Sequence, residues 1–306
     1  MSPTLPIVNL MMMMISGLMA MAFYTLMERK LLGYVQSRKG PNKPSMIGMM
    51  IPVSDAGKLF SKQEMSSTIM NMSYYMLAPA MMMTLSLLLW PIFPHMYQAT
   101  FMKFSIMYFM CITSMSIYAT FMAGWGSSSK WGMLGALRGI AQTISYEVSL
   151  SLMIICFALH QFKMDMLTIF REQYVSTAML TAPLMLMWLT SILAETHRAP
   201  LDFMEGESEL VSGFNIEYSS SLFALIFMSE YMNILLMSLV TVSVTMSNSL
   251  NMEFLMKTTI LSLIFIWARG ALPRLRYDSL MNTLWKKFLP FSLLWLMVTM
   301  SLTSMH

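Results

Sequence analysis

Long apolar stretches alternate with short charged stretches along the whole chain. A helix needs about 20 mostly apolar residues to cross the roughly 30 Å hydrocarbon core of a bilayer. Eight stretches meet this requirement, which predicts an all-α, polytopic membrane protein whose residues 1–306 form one membrane domain. The predicted spans run from 4 to 27, 68 to 93, 101 to 124, 138 to 160, 177 to 196, 221 to 245, 253 to 271 and 283 to 304.

Residues 44–62, between the first two spans, are too polar to cross a bilayer, yet their apolar side chains recur at helical spacing. Asp55, Lys58 and Lys62 share the other face, and such a two-faced helix is typical of a membrane interface. A helix packed on the rest of the protein gives the same pattern, so both interpretations stay open. The apolar positions are Met46, Met49, Met50, Val53, Ala56 and Phe60.

The composition also indicates that lipid surrounds most of the chain, because 57% of the residues are hydrophobic and only 11% are charged. The net charge of +4 comes from basic residues that lie between apolar runs, which favours a membrane over nucleic acid as the partner. If eight spans alternate in direction, 15 Lys and Arg residues fall on one side and 4 on the other, which accounts for all 19. The basic side is predicted to face the compartment where synthesis occurs, and both termini to face the opposite side.

Candidate metal ligands and nucleotide-binding motifs are scarce. Cys111 and Cys156 lie in apolar stretches without a CxxC pair, and the four His residues form neither HExxH nor a facing pair within two spans. No GxGxxG or Walker loop is present. The 42 Met residues are interpreted as flexible apolar filler rather than a copper site. We therefore expect no metal and no bound cofactor in this chain.

Among the acids within predicted spans or at their ends, three stand out: Glu147, Glu195 and Glu230. A charged side chain at bilayer depth costs about 2.5–3.5 kcal/mol on insertion scales, so it usually has a partner or a function. Structural Glu residues paired with Arg are the alternative to a functional role.

The stretch at 197–220 is predicted to be an acidic loop on the basic side of the membrane. Six of the fifteen acids fall within the 23 residues from Glu195 to Glu217, with Arg198 as the only cation. Crowded carboxyls in a low dielectric hold protons more readily, and coupled titration suits them to storing and passing protons. The acids between Glu195 and Glu217 are Asp202, Glu205, Glu207 and Glu209.

Five motifs resemble the subunit 1 family of NADH:ubiquinone oxidoreductase, the respiratory complex I, in its mitochondrially encoded animal form. Together they cover about a third of the chain and occur in the family's order. They are MERKLLGYVQSRKGPNK (27–43), DAGKLFSKQE (55–64), AGWGSSSKWGMLGALRGIAQTISYEVSLSL (123–152), AETHRAPLDFMEGESELVSGFNIEYSS (194–220) and RGALPRLRYDSLMNTLWKKFLP (269–290).

The resemblance implies two groups of functional residues at the matching positions. The ubiquinone channel is implied to contain Arg29, Arg38, Asp55, Lys58, Phe203, Arg274 and Arg276, with Met46, Met49 and Met50 at its entrance. The proton route is implied to contain Glu147, Glu195, Asp202, Glu205, Glu207, Glu209 and Glu230, with Arg138 and Arg198 as countercharges. His197 departs from the pattern, since Asn is usual there, and a surface or packing role is favoured over a role in the proton route.

The resemblance also implies the setting in which the chain works. Ubiquinone is the expected substrate, while NADH, FMN and iron–sulfur clusters are expected in partner subunits. The expected partners are other complex I subunits and membrane lipids, with no nucleic acid. The expected location is the mitochondrial inner membrane, with both termini on the intermembrane-space side, and the isolated chain is expected to be inactive.

Two other functions remain to be weighed. A proton-coupled secondary transporter would share the intramembrane carboxylates, but it is expected to show inverted repeats, which the sequence does not display. A structural anchor for a soluble arm would account for the basic loops but not for Glu147 and Glu230.

Overall fold

The computed structural model describes residues 4–65, 70–94, 102–173, 176–204, 206, 210, 213–246 and 252–304. Every regular element within these ranges is helical. Seven of the described helices are long and apolar enough to cross a membrane, and an eighth apolar helix is shorter. The predicted all-α, polytopic membrane fold is therefore confirmed.

The helices are numbered here in chain order, and short 3₁₀ turns at Met46–Gly48, Trp90–Ile92 and Gly213–Asn215 lie between some of them. The α-helices are α1 (Thr4–Val35), α2 (Ile51–Ser61), α3 (Met72–Leu89), α4 (Ser105–Gly126), α5 (Lys130–Gln161), α6 (Met166–Glu172), α7 (Thr177–Leu180), α8 (Ala182–Glu195), α9 (Ser220–Thr245), α10 (Met252–Ala271), α11 (Tyr277–Thr283) and α12 (Leu289–Ser304).

Helices α1 and α5 are longer than the spans predicted for them. Each has 32 residues, or about 48 Å at 1.5 Å per residue, against a hydrocarbon core of about 30 Å. Helix α5 begins at Lys130 because the Ser129 side chain accepts a hydrogen bond from the Gly132 backbone N–H at 3.1 Å. Hydropathy alone locates the membrane crossing, whereas capping decides where the helix starts.

The window predicted at 177–196 is divided into two helices. Thr181 lies outside helical geometry, with φ −121° and ψ 43°, and separates α7 from α8. Pro183 lies in the first turn of α8, where its missing N–H costs nothing. In one helix running on from α7 it would lose a hydrogen bond and clash with the carbonyl four residues earlier, so the helix starts anew at Ala182. The apolar helix that remains has 14 residues, about 21 Å long.

The last span also begins earlier than predicted, at Tyr277 instead of 283. Its two helices, α11 and α12, are joined by a π-helical turn at Leu284–Phe288. Pro290 follows in the first turn of α12 and lacks a backbone donor. The π-helical turn at Leu284–Phe288 is wider than an α-helical turn, and it lies where the hydrogen bond that Pro290 cannot donate would otherwise form.

Helices α5 and α9 form the centre of the bundle, and α1 and α12 lie at its periphery. About half of the most apolar window is buried in the central pair, 56% in α5 and 50% in α9, against 17% in α1 and 11% in the last span, which α11 and α12 form together. Helix α9 contacts α1, α2, α3 and α10, while α5 contacts α4, α8 and α12. The apolar outer surfaces of α1 and α12 are therefore available to lipid or to neighbouring subunits.

A glycine permits a close contact between α4 and α5. A side chain at Gly124 of α4 would collide with the Cβ of Ala136 on α5. Small residues at such crossings are typical of membrane helices. Because lipid is as apolar as the side chains, the helices associate through close packing of their backbones and not through the hydrophobic effect.

Candidate functional site

Glu28 on α1 is almost completely buried and binds three groups from distant parts of the chain. Its Oε1 accepts hydrogen bonds from Arg198 Nη1 at 2.8 Å and from Arg269 Nη1 at 2.5 Å. The Tyr231 hydroxyl donates to its Oε2. This group of four, called the Glu28 cluster below, ties α1 to α9, to α10 and to the segment that follows α8.

Arg198 is the central cation of the Glu28 cluster. Its guanidinium also lies over the Tyr231 ring, 4.5 Å from the centroid, as in a cation–π contact. Burial disfavours its charged form, but the Glu28 carboxylate overcomes this effect and raises the pKa of Arg198. Arg198 therefore carries its charge at any physiological pH.

Glu195 and Glu230 line one cavity in the interior of the bundle. Glu195 ends α8, and Glu230 lies on α9. The cavity also contains His197, whose pKa burial lowers to about 4. Glu147 on α5 does not line the cavity, but its charge interacts with Glu195. The fold thus brings the three acids predicted at bilayer depth into one region.

Gln142 holds the start of the acidic loop against the helices. Its Nε2, buried on α5, donates to the backbone oxygen of Ala194 at 3.0 Å and to that of Leu201 at 2.7 Å. One side chain therefore fixes the distance between the end of α8 and the first residues of the loop. Glu205, Glu207 and Glu209 lie outside the described residues.

Asp202 links the acidic loop to the segment before α11. Its Oδ2 lies 3.3 Å from Arg274 Nη2, and the next residue, Phe203, packs its buried ring edge-on against Tyr277. Arg276 forms an ion pair with Asp278 at 2.9 Å, and both side chains are exposed. The structure therefore brings Asp202, predicted for the proton route, together with Arg274, predicted for the quinone channel.

The remaining residues predicted for the quinone channel lie near the end of α1 and along α2. Arg29 Nη1 forms an ion pair with Asp55 Oδ2 at 2.6 Å, while Arg38 and Lys58 are exposed. The apolar side chains that precede α2 are also exposed among the described residues. Met46 is 86% accessible, Met49 55% and Met50 57%.

The family model described as NADH dehydrogenase matches residues 8–300. Over 291 residues the chain is 45% identical to NADH-ubiquinone oxidoreductase chain 1 of Anopheles gambiae, an alignment that covers 94% of this chain and 93% of the mosquito protein. It is 43% identical over 309 residues to the protein of the same name from Ateles paniscus, with 97% of both chains covered. The chain belongs to the NADH dehydrogenase family. The resemblance inferred from its five motifs is thereby confirmed.

Several residues of this NADH dehydrogenase chain were not singled out by its sequence. Glu28 lies within the first motif, at the end of a long apolar run, and that position was the available signal for a buried acid. Tyr231 and Arg269 carry no such signal, because their roles depend on contacts with residues far away in the sequence. Gln142 and Asn233 resemble ordinary polar residues of a membrane helix until the fold places them at the acidic loop and at the cavity.

Proposed function

We propose that this chain is a membrane subunit of NADH:ubiquinone oxidoreductase in the mitochondrial inner membrane. In this role it forms the membrane end of the ubiquinone channel and the first part of the proton route that couples quinone reduction to pumping. The observation that carries the proposal is the link between Asp202 and Arg274, which joins the two predicted groups of residues where the acidic loop meets α11. The family and the names of the relatives support the assignment.

The quinone channel is assigned to the end of the protein that holds α2. An isoprenoid tail needs apolar walls, and the exposed side chains of Met46, Met49 and Met50 are suited to that role. A quinone headgroup needs hydrogen-bond donors and charge, and the Arg29–Asp55 pair supplies both. Arg38, Lys58, Phe203, Arg274 and Arg276 complete the proposed channel.

The proton route is assigned to the acids of the acidic loop and the bundle interior. Asp202 is the described acid closest in sequence to the channel residue Phe203, Glu195 and Glu230 line the interior cavity, and Glu147 is half-buried on α5. Arg198 interacts electrostatically with Glu230 while it is paired with Glu28, which supports its role as a countercharge. Glu205, Glu207, Glu209 and Arg138 belong to the proposed route by their motif positions.

Quinone binding is assigned to this chain, and electron transfer from NADH is assigned to its partner subunits. Ubiquinone is the proposed substrate, and the electron carriers, FMN and iron–sulfur clusters, are assigned together with NADH binding to other subunits. Neighbouring membrane subunits and lipids are the proposed occupants of the apolar surfaces of α1 and α12. The chain alone is expected to have no activity.

Removing the Asp55 carboxylate is expected to lower NADH:quinone turnover about tenfold or more, because a charged group that orients substrate typically contributes on this scale. In an assembled complex, Asp55→Ala leaves Arg29 without its ion-pair partner, and Arg38→Leu removes a second cation from the channel. NADH oxidation by a soluble artificial acceptor is expected to stay unchanged. The two rates are measured on the same membranes.

The matched control for Asp55→Ala is Glu172→Ala. Glu172 is also an exposed acid in an ion pair, with Lys163, but it lies on α6, away from the proposed channel. We expect wild-type rates for it with both acceptors. Equal loss of both activities in Asp55→Ala would indicate failed assembly and would remove support for the channel.

We propose that four stretches lie on the matrix side of the membrane: residues 28–67, 125–137, 197–220 and 272–282. A cysteine at Ser279 of α11 is expected to react with an impermeant maleimide only from that side. A cysteine at Ser304, at the other end of α12, is expected to react only from the intermembrane side. Cys111 is exposed and has to be replaced by Ser before labelling. Labelling of both positions from one side would contradict the proposed crossing.

A further inference from the structure

The cavity that contains Glu195 and Glu230 is large enough to hold water. Its volume, counted as space open to the centres of water molecules, is about 60 Å³. One buried water needs roughly 10–15 Å³ of such space, so a few waters fit. Its lining is mixed. Apart from the two acids, Thr196 and His197, the polar lining residues lie on α3, α4 and α9 and are Ser86, Thr113, Ser116, Thr120, Ser229 and Asn233. The apolar lining residues are Met82, Leu85, Leu89, Ile112, Met204, Phe214 and Met237.

Three buried polar atoms of the cavity residues have no hydrogen-bond partner among the described residues. They are Glu195 Oε2, His197 Nδ1 and Asn233 Oδ1. Buried polar atoms of native proteins are almost always paired with protein or with ordered water. These atoms therefore require water, or a transferable proton, inside the cavity.

The backbone fixes the place of His197 at the cavity wall. Helix α8 ends in a Schellman motif, in which the His197 N–H bonds to Ala194 O at 3.3 Å and the Arg198 N–H bonds to Leu193 O at 3.1 Å. His197 takes the left-handed position of this motif, with φ 49°. Histidine tolerates that conformation better than most residues, because Asn, Asp and His are enriched there. The same turn directs Arg198 to the Glu28 cluster.

Two carboxyls line the cavity together with His197, Glu195 from α8 and Glu230 from α9, while the residues of α3 and α4 that line it carry no charge. The neighbouring cation, Arg198, is engaged by Glu28. With its pKa lowered to about 4 by burial, the ring of His197 is neutral near pH 7. A neutral imidazole accepts a hydrogen bond at one nitrogen and donates one from the other.

We propose that His197 carries protons across this cavity between Glu195 and Glu230. One ring nitrogen takes up a proton that has left Glu195, directly or through a water, while the other nitrogen releases its proton towards the Glu230 carboxylate. Only O–H and N–H bonds break and form, and no electrons are exchanged. Proton exchange between the two ring nitrogens through cavity water then returns His197 to its original tautomer. This inference rests on the proposed proton route and assigns His197 to it, although the sequence favours a surface or packing role for that residue.

The test uses His197→Gly in the assembled complex, because Gly takes the left-handed backbone without strain and leaves room for a small molecule. We expect quinone reduction to fall about tenfold, less than the roughly 10²–10⁴-fold of a general acid–base group, because water offers a parallel path. Added imidazole is expected to restore most of the lost rate. 1-Methylimidazole fills the same space but has no N–H to release, and it is expected not to restore the rate.

Two controls separate this inference from the proposed function. His160→Ala removes an imidazole at the far end of α5, outside the cavity, and is expected to show wild-type rates and no response to imidazole. Glu195→Gln is expected to abolish coupled turnover. Wild-type coupling in Glu195→Gln would overturn the proposed proton route itself. The role of His197 alone would be overturned if Glu195→Gln loses coupling while His197→Gly keeps the wild-type rate. The same would follow if Glu195→Gln loses coupling and imidazole and 1-methylimidazole restore His197→Gly equally.

If His197→Gly fails to assemble, His197→Asn takes its place, since Asn also suits the left-handed turn. Its amide does not exchange protons near neutral pH, so protons must then cross on cavity water alone, and we expect a larger solvent deuterium isotope effect than in the wild type. An unchanged isotope effect would overturn the proposal.

Discussion

Replacing Glu147 by Gln is expected to abolish most coupled quinone reduction while the complex assembles normally. No described residue forms an ion pair with Glu147. Arg138 is nine residues away on the same helix, or about 13.5 Å along its axis, too far for a direct pair. A purely structural carboxylate tolerates Gln, because the amide keeps the shape and lowers the cost of burial. A carboxylate that must take up and release a proton does not.

The loss expected for Glu147→Gln is about 10²-fold or more, the usual contribution of an essential proton-transfer group. Quinone reduction and proton uptake are measured together in reconstituted vesicles, with NADH oxidation by a soluble acceptor as the measure of assembly. Glu172→Gln, an exposed acid outside the proposed route, serves as the control. A wild-type rate and an unchanged proton-to-electron ratio in Glu147→Gln would remove Glu147 from the route.

Replacing Glu28 by Gln is expected to destabilise the subunit by about 3–5 kcal/mol, the usual cost of removing one partner from a buried ion pair. Side-chain exposure is 5% for Glu28 and 14% for Arg198, so the Arg198 charge that remains is poorly solvated. Arg269 is 45% exposed and contributes less, since water screens it. The expected result is a much shorter half-life of the purified complex on heating, or loss of this chain from it.

Glu253→Gln is the matched control for Glu28→Gln. It breaks an ion pair with Lys257 one turn away on α10, where both side chains are partly or largely exposed. Exposed pairs of this kind contribute about 0.3–0.5 kcal/mol, so no measurable change in half-life is expected. Equal half-lives for the two variants would show that the Glu28 cluster contributes nothing to stability.

The sequence was sufficient for properties that depend on neighbours along the chain. Hydropathy over about 20 residues is such a property, and it located the membrane helices. Local motifs likewise indicated the family. The unusual acids Glu195 and Glu230 were recognised because a charge in an apolar run is costly wherever the run folds.

The tertiary structure decided everything that depends on which distant residues meet. Glu28 finds its partners 170, 203 and 241 positions away, at Arg198, Tyr231 and Arg269, and nothing in the pattern around any of them predicts the pairing. The same holds for the cavity, where His197 acquires two acids as neighbours only because α8 ends beside α9. Periodicity and hydropathy report the environment of a single helix, whereas a buried charge is stabilised by partners that only the packed bundle brings within hydrogen-bonding distance.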